Sequence, residues 1–188
     1  MSGHSKWSQI KRQKGATDAA KSSAFSKFSR LITTESKKAA GNTSSPGLAT
    51  AIARAKAINM PKDSIDRAVA KGASKDAGEL ETVAYEFYGP GGIAIIVSAL
   101  TDNRNRTTQE IKHLITKNAF ELGVPGSAAW AFTKHADGTF SPNEPSMDIS
   151  GDEEGKLALL LATLEVHEDV QDVWTTASGF ASSREEED

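Results

Sequence analysis

The chain has 188 residues, 38% apolar and 25% charged, enough for one large domain or two small ones and ordinary for a soluble globular protein. It holds no cysteine, which excludes a disulfide framework and Cys-based zinc or redox chemistry. No apolar run approaches the ~20 residues of a membrane span, and no secretory signal opens the chain.

The net charge of −3 conceals an asymmetry: residues 1–75 carry 15 of the 22 Lys and Arg but only 4 of the 25 acids. A basic half of this kind points to a polyanion partner, while the acidic half keeps the chain soluble. The plainer alternative is two oppositely charged lobes that attract each other.

Residues 1–16 show no helical apolar stripe, and Gly3 and Gly15 weaken a long helix there. A flexible or extended arm is expected, with one short turn around Trp7–Arg12 at most. A helix follows from Thr17 or Asp18 to Ala40, ended by Gly41-Asn42. Phe25, Phe28, Leu31 and Ile32 share one face of it; Lys27, Arg30, Lys37 and Lys38 share another. Pro46 opens a second helix with Leu48, Ile52, Ala55 and Ile58 inward, and Pro61 a third with Ile65, Ala68 and Val69 inward. Three short amphipathic helices joined by tight loops predict a small bundle.

A polar stretch around 73–81 reads as the linker. Strands at Thr82–Tyr88 and Ile93–Leu100 flank Gly89-Pro90-Gly91-Gly92, a hairpin turn. A helix is expected from Thr107 or Thr108 to Asn118. The alternation of Ser127–Thr133 predicts a strand with Ala128, Trp130 and Phe132 on one face. Met147–Ile149 is a candidate short strand. Ser150 and Glu153 form a capping-box pattern before a helix with Leu157, Leu160, Leu161 and Leu164 inward. Val170–Thr176 is the last strand. From Ile93 the order is strand, helix, strand, strand, helix, strand, the ferredoxin-like order with one extra strand in front. The expected architecture is therefore α+β: a basic arm and three-helix bundle (1–75), an acidic ferredoxin-like lobe (82–177), and a disordered acidic tail (178–188).

Catalytic signatures are missing. His4, His113, His135 and His167 lack metal-ligand spacing, and there is no G-x-S-x-G elbow or Walker A loop. Glu168-Asp169 reads as part of a solvated charge run. No enzyme, cofactor or metal is expected. Binding chemistry is better represented. Lys6, Lys11, Arg12 and Lys14 with Lys27, Arg30, Lys37 and Lys38 can form a cationic surface that neutralises phosphates. Trp7 either stacks on a base or anchors the arm to the bundle. Arg104 and Arg106, between a buried strand and a helix start, make a second candidate anion site. The alternative there is a loop held by Asp102 pairing with one of them.

The chain resembles the YebC-type family, whose relatives include the mitochondrial translational activator of cytochrome c oxidase. The resemblance rests on Gly3-His4-Ser5-Lys6-Trp7, Asn59-Met60-Pro61-Lys62-Asp63, Tyr88-Gly89-Pro90-Gly91-Gly92 and Thr101-Asp102-Asn103-Arg104-Asn105-Arg106-Thr107. It adds His4 and Ser5 to the candidate nucleic-acid-binding residues. It implies a non-catalytic regulator of gene expression, with DNA-binding transcriptional control as the leading function. Translation on messenger or ribosomal RNA, at the ribosome, is the alternative. A protein-interaction module docking on an acidic partner is a further alternative from another class. A cytoplasmic location is expected, or the mitochondrial matrix for a eukaryotic chain. One departure stands out: about twenty residues separate Phe132 from Asp152, where typical relatives carry an inserted α/β lobe.

Overall fold

The structure, a computed structural model, describes residues 18–74, 78–136, 138–144 and 146–180. Its helices and antiparallel sheets make an α+β protein, and its two lobes each close around their own apolar core.

Helices α1 (Asp18–Lys38), α2 (Pro46–Ala57) and α3 (Lys62–Ala73) form the bundle. Ile32, Leu48, Ala55, Ile65 and Ala68 meet at its centre, with Phe25, Phe28 and Leu31 packed around them. Pro46 starts α2 at a position whose N–H has no helical partner to lose. Helices α1 and α3 touch through small side chains. Thr33 Oγ1 donates to the Ala68 carbonyl at 3.3 Å, and Ser36 Oγ donates to the Val69 carbonyl at 2.7 Å. Gly72 permits this approach: a Cβ there would collide with the Thr33 carbonyl and lie 2.6 Å from Ser36 Cβ. Gly72→Ala should therefore cost about 1–3 kcal/mol by overpacking, read as a lower melting temperature.

The second lobe comprises β1 (Glu81–Tyr88), β2 (Ala94–Thr101), α4 (Arg104–Lys117), β3 (Phe132–Lys134), β4 (Phe140–Pro142), α5 (Gly151–Val166) and β5 (Val170–Thr175). After β1, the elements follow the ferredoxin-like order. The sheet is arranged differently. It is three-stranded, β1-β2-β5 and antiparallel, while β3 and β4 pair only with each other. The extra strand β1 takes the place beside β2, and three-residue strands are too short to extend the sheet. Ile95, Val97 and Ala99 of β2 face α4 and α5 in the main core. Ala94 and Ile96 face the opposite way, against Ala128, Phe132 and Trp174. Both faces of β2 are thus covered, as its continuous apolar run requires.

Several boundaries differ from expectation. Helix α4 starts at Arg104 because Asn103 is its cap: the side-chain carbonyl accepts from the Arg106 N–H at 3.1 Å. Residues 129–131 form a 3₁₀ turn, so Trp130 leaves the face of Ala128 and Phe132 and is 72% exposed. Met147 makes one isolated parallel bridge, to Ala177, in place of a strand. Ser150 precedes α5 without a side-chain capping bond. Of the tail expected from 178, Phe180 is instead buried in the lobe's core, and 181–188 lie outside the described residues. No helix among the described residues is long and apolar enough to cross a membrane.

Candidate nucleic-acid interface

Of the predicted binding residues, His4, Ser5, Lys6, Trp7, Lys11, Arg12 and Lys14 lie outside the described residues. The helical cations are described, and they divide into two groups. Lys37 and Lys38 are exposed in the last turn of α1, where positive charge complements the helix dipole; Lys38 also pairs with Glu35 at 2.7 Å. Lys56 of α2 and Lys62, Arg67 and Lys71 of α3 are exposed as well. Arg54 instead stacks over the Phe28 ring, 5.6 Å from its centroid.

Lys27 and Arg30 face the second lobe rather than solvent. With Ser23 they form a stripe at i, i+4 and i+7 of α1. Ser23 Oγ donates to the Val166 carbonyl at 2.5 Å, and Lys27 Nζ donates to the Glu165 carbonyl. Those carbonyls end α5 and have no acceptor role left inside the helix, so α1 supplies a cap from the other lobe. Arg30 donates to the Leu100 carbonyl at 3.4 Å, approaches Glu168 at 3.5 Å and pairs with Asp169. Expecting both cations on the open binding surface is corrected on this point. A single amphipathic helix has two polar flanks, and the acidic turn before β5 attracts one of them.

Asp169, expected in a solvated charge run, is 1% exposed. A register shift in β5, where Ser98 pairs with Asp172 and Ala99 with Val170, carries it to the end of β2. There it meets the start of α4. Thr107 Oγ1 donates to Asp169 Oδ2 at 2.5 Å, and the Arg106 guanidinium reaches the same oxygen at 3.1 Å. Burial alone would raise its pKa. The Thr107 hydroxyl, Arg106 and Arg30 outweigh burial and hold the carboxyl below its ordinary value. The anion site predicted at Arg104 and Arg106 is thus filled from within by Asp169. Arg106 is held further by Asp102 at 2.8 Å, the pairing weighed as the alternative, whereas Arg104 stays exposed.

Glu110, His167 and Asp169 bring three potential metal-ligand atoms within 4.8 Å of one another. Arg106 lies 3.9 Å from Glu110 and 3.1 Å from Asp169, so a guanidinium already supplies the positive charge there.

Sequence reasoning missed one further feature. Glu86, on the face of β1 away from the helices, is buried. Its carboxylate accepts the N–H groups of Gly126, Ala128 and Ala129, each at 2.8 Å. These outweigh burial, which would raise its pKa, and the carboxyl sits below its ordinary value. The clamp positions Trp130, whose indole N–H donates to Tyr88 Oη at 2.8 Å and to the Ser127 carbonyl at 3.1 Å. The signal was a lone acid inside the apolar strand Tyr85-Glu86-Phe87.

Comparison with known proteins places these features in context. The profile of the TACO1/YebC protein N-terminal domain matches residues 5–75, and that of the TACO1/YebC second and third domain matches residues 80–144. A probable transcriptional regulatory protein of Francisella tularensis subsp. mediasiatica is 43% identical over 188 residues, covering 98% of this chain and 75% of that protein. A protein of the same description from Rubrobacter xylanophilus is 47% identical over 137 residues, covering 71% of this chain and 55% of the relative. Among solved structures, the conserved hypothetical protein Aq1575 of Aquifex aeolicus matches with a TM-score of 0.75 at 28% identity. That match covers 86% of this chain and 91% of the other. Among the described residues, the stretch from Phe132 to Asp152 holds the β3–β4 hairpin and the approach to α5, without a further lobe.

Proposed function

Because the chain belongs to the TACO1/YebC family, we propose that it is a non-catalytic regulator of gene expression that binds nucleic acid through its basic arm and bundle. The observation that carries this reading is the set of exposed cations on the bundle, Lys37, Lys38, Lys56, Lys62, Arg67 and Lys71, to which the sequence adds the four cations of the arm. Relatives described as probable transcriptional regulatory proteins support it. Lysine and arginine on such a surface release counterions from a phosphate backbone without reading sequence. DNA is the leading target.

If about five cations contact phosphate, log affinity should fall with log salt at a slope near −4.5 on duplex DNA, or about −3.5 on single strands. Fluorescence anisotropy across a KCl series measures it. Binding that ignores salt would overturn the proposal. Crosslinking in cells followed by sequencing then separates the targets: promoter fragments support transcription, and ribosomal RNA supports translation. A pull-down that survives nuclease treatment favours an acidic protein partner instead.

A further inference from the structure

The Ser23–Lys27–Arg30 stripe is held by the kind of ligand set that a nucleic-acid backbone offers. Two helix-terminal carbonyls, Glu165 and Val166, carry partial negative charge, and Glu168 and Asp169 carry full charge. These four acceptors, at positions 165, 166, 168 and 169, span the end of α5 and its turn into β5. The turn therefore occupies cations that stand on the same helix as the exposed Lys37 and Lys38.

Three observations make this contact reversible. First, each lobe has its own apolar core, and no core cluster among the described residues contains side chains from both. Lobes joined through polar groups are expected to move relative to one another. Second, withdrawal of Arg30 leaves Asp169 Oδ2 held by Thr107 and Arg106 from within the second lobe, and the oxygen that Arg30 faces, Oδ1, is the one that water must take over as the lobes part. Third, Glu168 is 63% exposed, so water can take over its contact with Arg30.

We propose that the α5–β5 turn is an autoinhibitory phosphate surrogate: it masks Lys27 and Arg30 in the free protein, and bound nucleic acid displaces it. The inference rests on the nucleic-acid-binding reading above. Its consequence is that observed affinity equals intrinsic affinity reduced by the fraction of molecules in which the stripe is open. Charge attraction between the lobes and binding of a polyanion then become competing uses of one face.

The absence of cysteine allows a clean test. Ala53→Cys on α2 and Leu159→Cys on α5, both exposed positions, take a donor and an acceptor dye. Adding a duplex of about 20 base pairs should lower energy transfer saturably, with the same midpoint as binding by anisotropy. Glu168→Gln should tighten binding about two- to fivefold, the scale of one exposed ion pair. Glu121→Gln makes the same charge change on an exposed residue outside the contact and should leave the released fraction unchanged. Raising KCl to ~1 M should lower transfer in the free protein by screening the ion pairs.

Transfer that stays constant through saturated binding would overturn the competition. So would equal tightening by Glu168→Gln and Glu121→Gln. Constant transfer in high salt would overturn the electrostatic contact itself. A protein that opens in KCl but binds neither duplex nor single strand overturns the binding reading instead, and the competition with it.

Discussion

Glu86→Ala is expected to cost at least about 3 kcal/mol of folding stability, because it leaves the N–H groups of Gly126, Ala128 and Ala129 without their shared acceptor. Ala128 is fully buried, so water cannot replace the carboxylate at that N–H without reopening the lobe. Glu86→Gln keeps one acceptor oxygen but loses the charge, and an intermediate loss is expected. The pH dependence separates the two contributions. The carboxyl is held below its ordinary value of 4.5, so its stabilisation is fully present above that pH. It is lost as pH falls through the lower, folded-state value. Thermal melts followed by circular dichroism should fall more steeply below pH 4.5 in the parent than in Glu86→Gln. Parallel curves would show that the clamp's charge is immaterial. Trp130 fluorescence adds a local readout, since its indole is fixed to Tyr88 and Ser127 beside the clamp.

Residues whose burial follows from the periodicity of their own element were legible in the sequence. Ile32, Leu48, Ile65 and Ala68 followed helical spacing into the bundle core, and Leu157, Leu160, Leu161 and Leu164 followed it into the other. The Gly91-Gly92 turn was also legible: φ values of +64° and +75° are the backbone that glycine adopts without strain. Long-range polar pairing was not. Lys27 is 138 positions from its carbonyl partner at Glu165, and nothing in the periodicity of α1 says which polar flank meets solvent. Asp169 stood beside Glu168 in what looked like one solvated run. The two point to opposite sides of the turn into β5, which buries Asp169 against α4 and leaves Glu168 exposed. Trp130 failed for a different reason. Its alternating neighbours imitate a strand, but Glu86 gathers the N–H groups of Gly126, Ala128 and Ala129 and holds the segment as a turn. The two lobes attracting each other, the plainer explanation of the charge asymmetry, describes the Arg30 contacts well; it leaves Lys37, Lys38, Lys56 and Lys62 unexplained, and those carry the binding proposal.

Reversing Lys6, Lys11 and Lys14 to glutamate should weaken nucleic-acid binding by at least about a hundredfold at physiological salt. Each phosphate contact contributes roughly 0.9 to the salt slope on duplex DNA, so losing three should flatten a slope near −4.5 by about 2.7. Melting temperature serves as the control for folding. Arg104→Glu is the comparison in the second lobe. Arg106 is unsuitable, since its removal would disturb Asp169 and confound binding with folding. A larger loss from Arg104→Glu than from the triple reversal would move the site to the second lobe. A scramble of residues 3–14 at constant charge asks a separate question. If the arm acts only as a counterion, the scramble retains both affinity and slope, and regulation in cells survives. The expected result is that the slope is largely kept while regulation is lost. Gly3-His4-Ser5-Lys6-Trp7 places an imidazole, a hydroxyl and an indole at fixed offsets from its lysine, and charge density alone does not require that order.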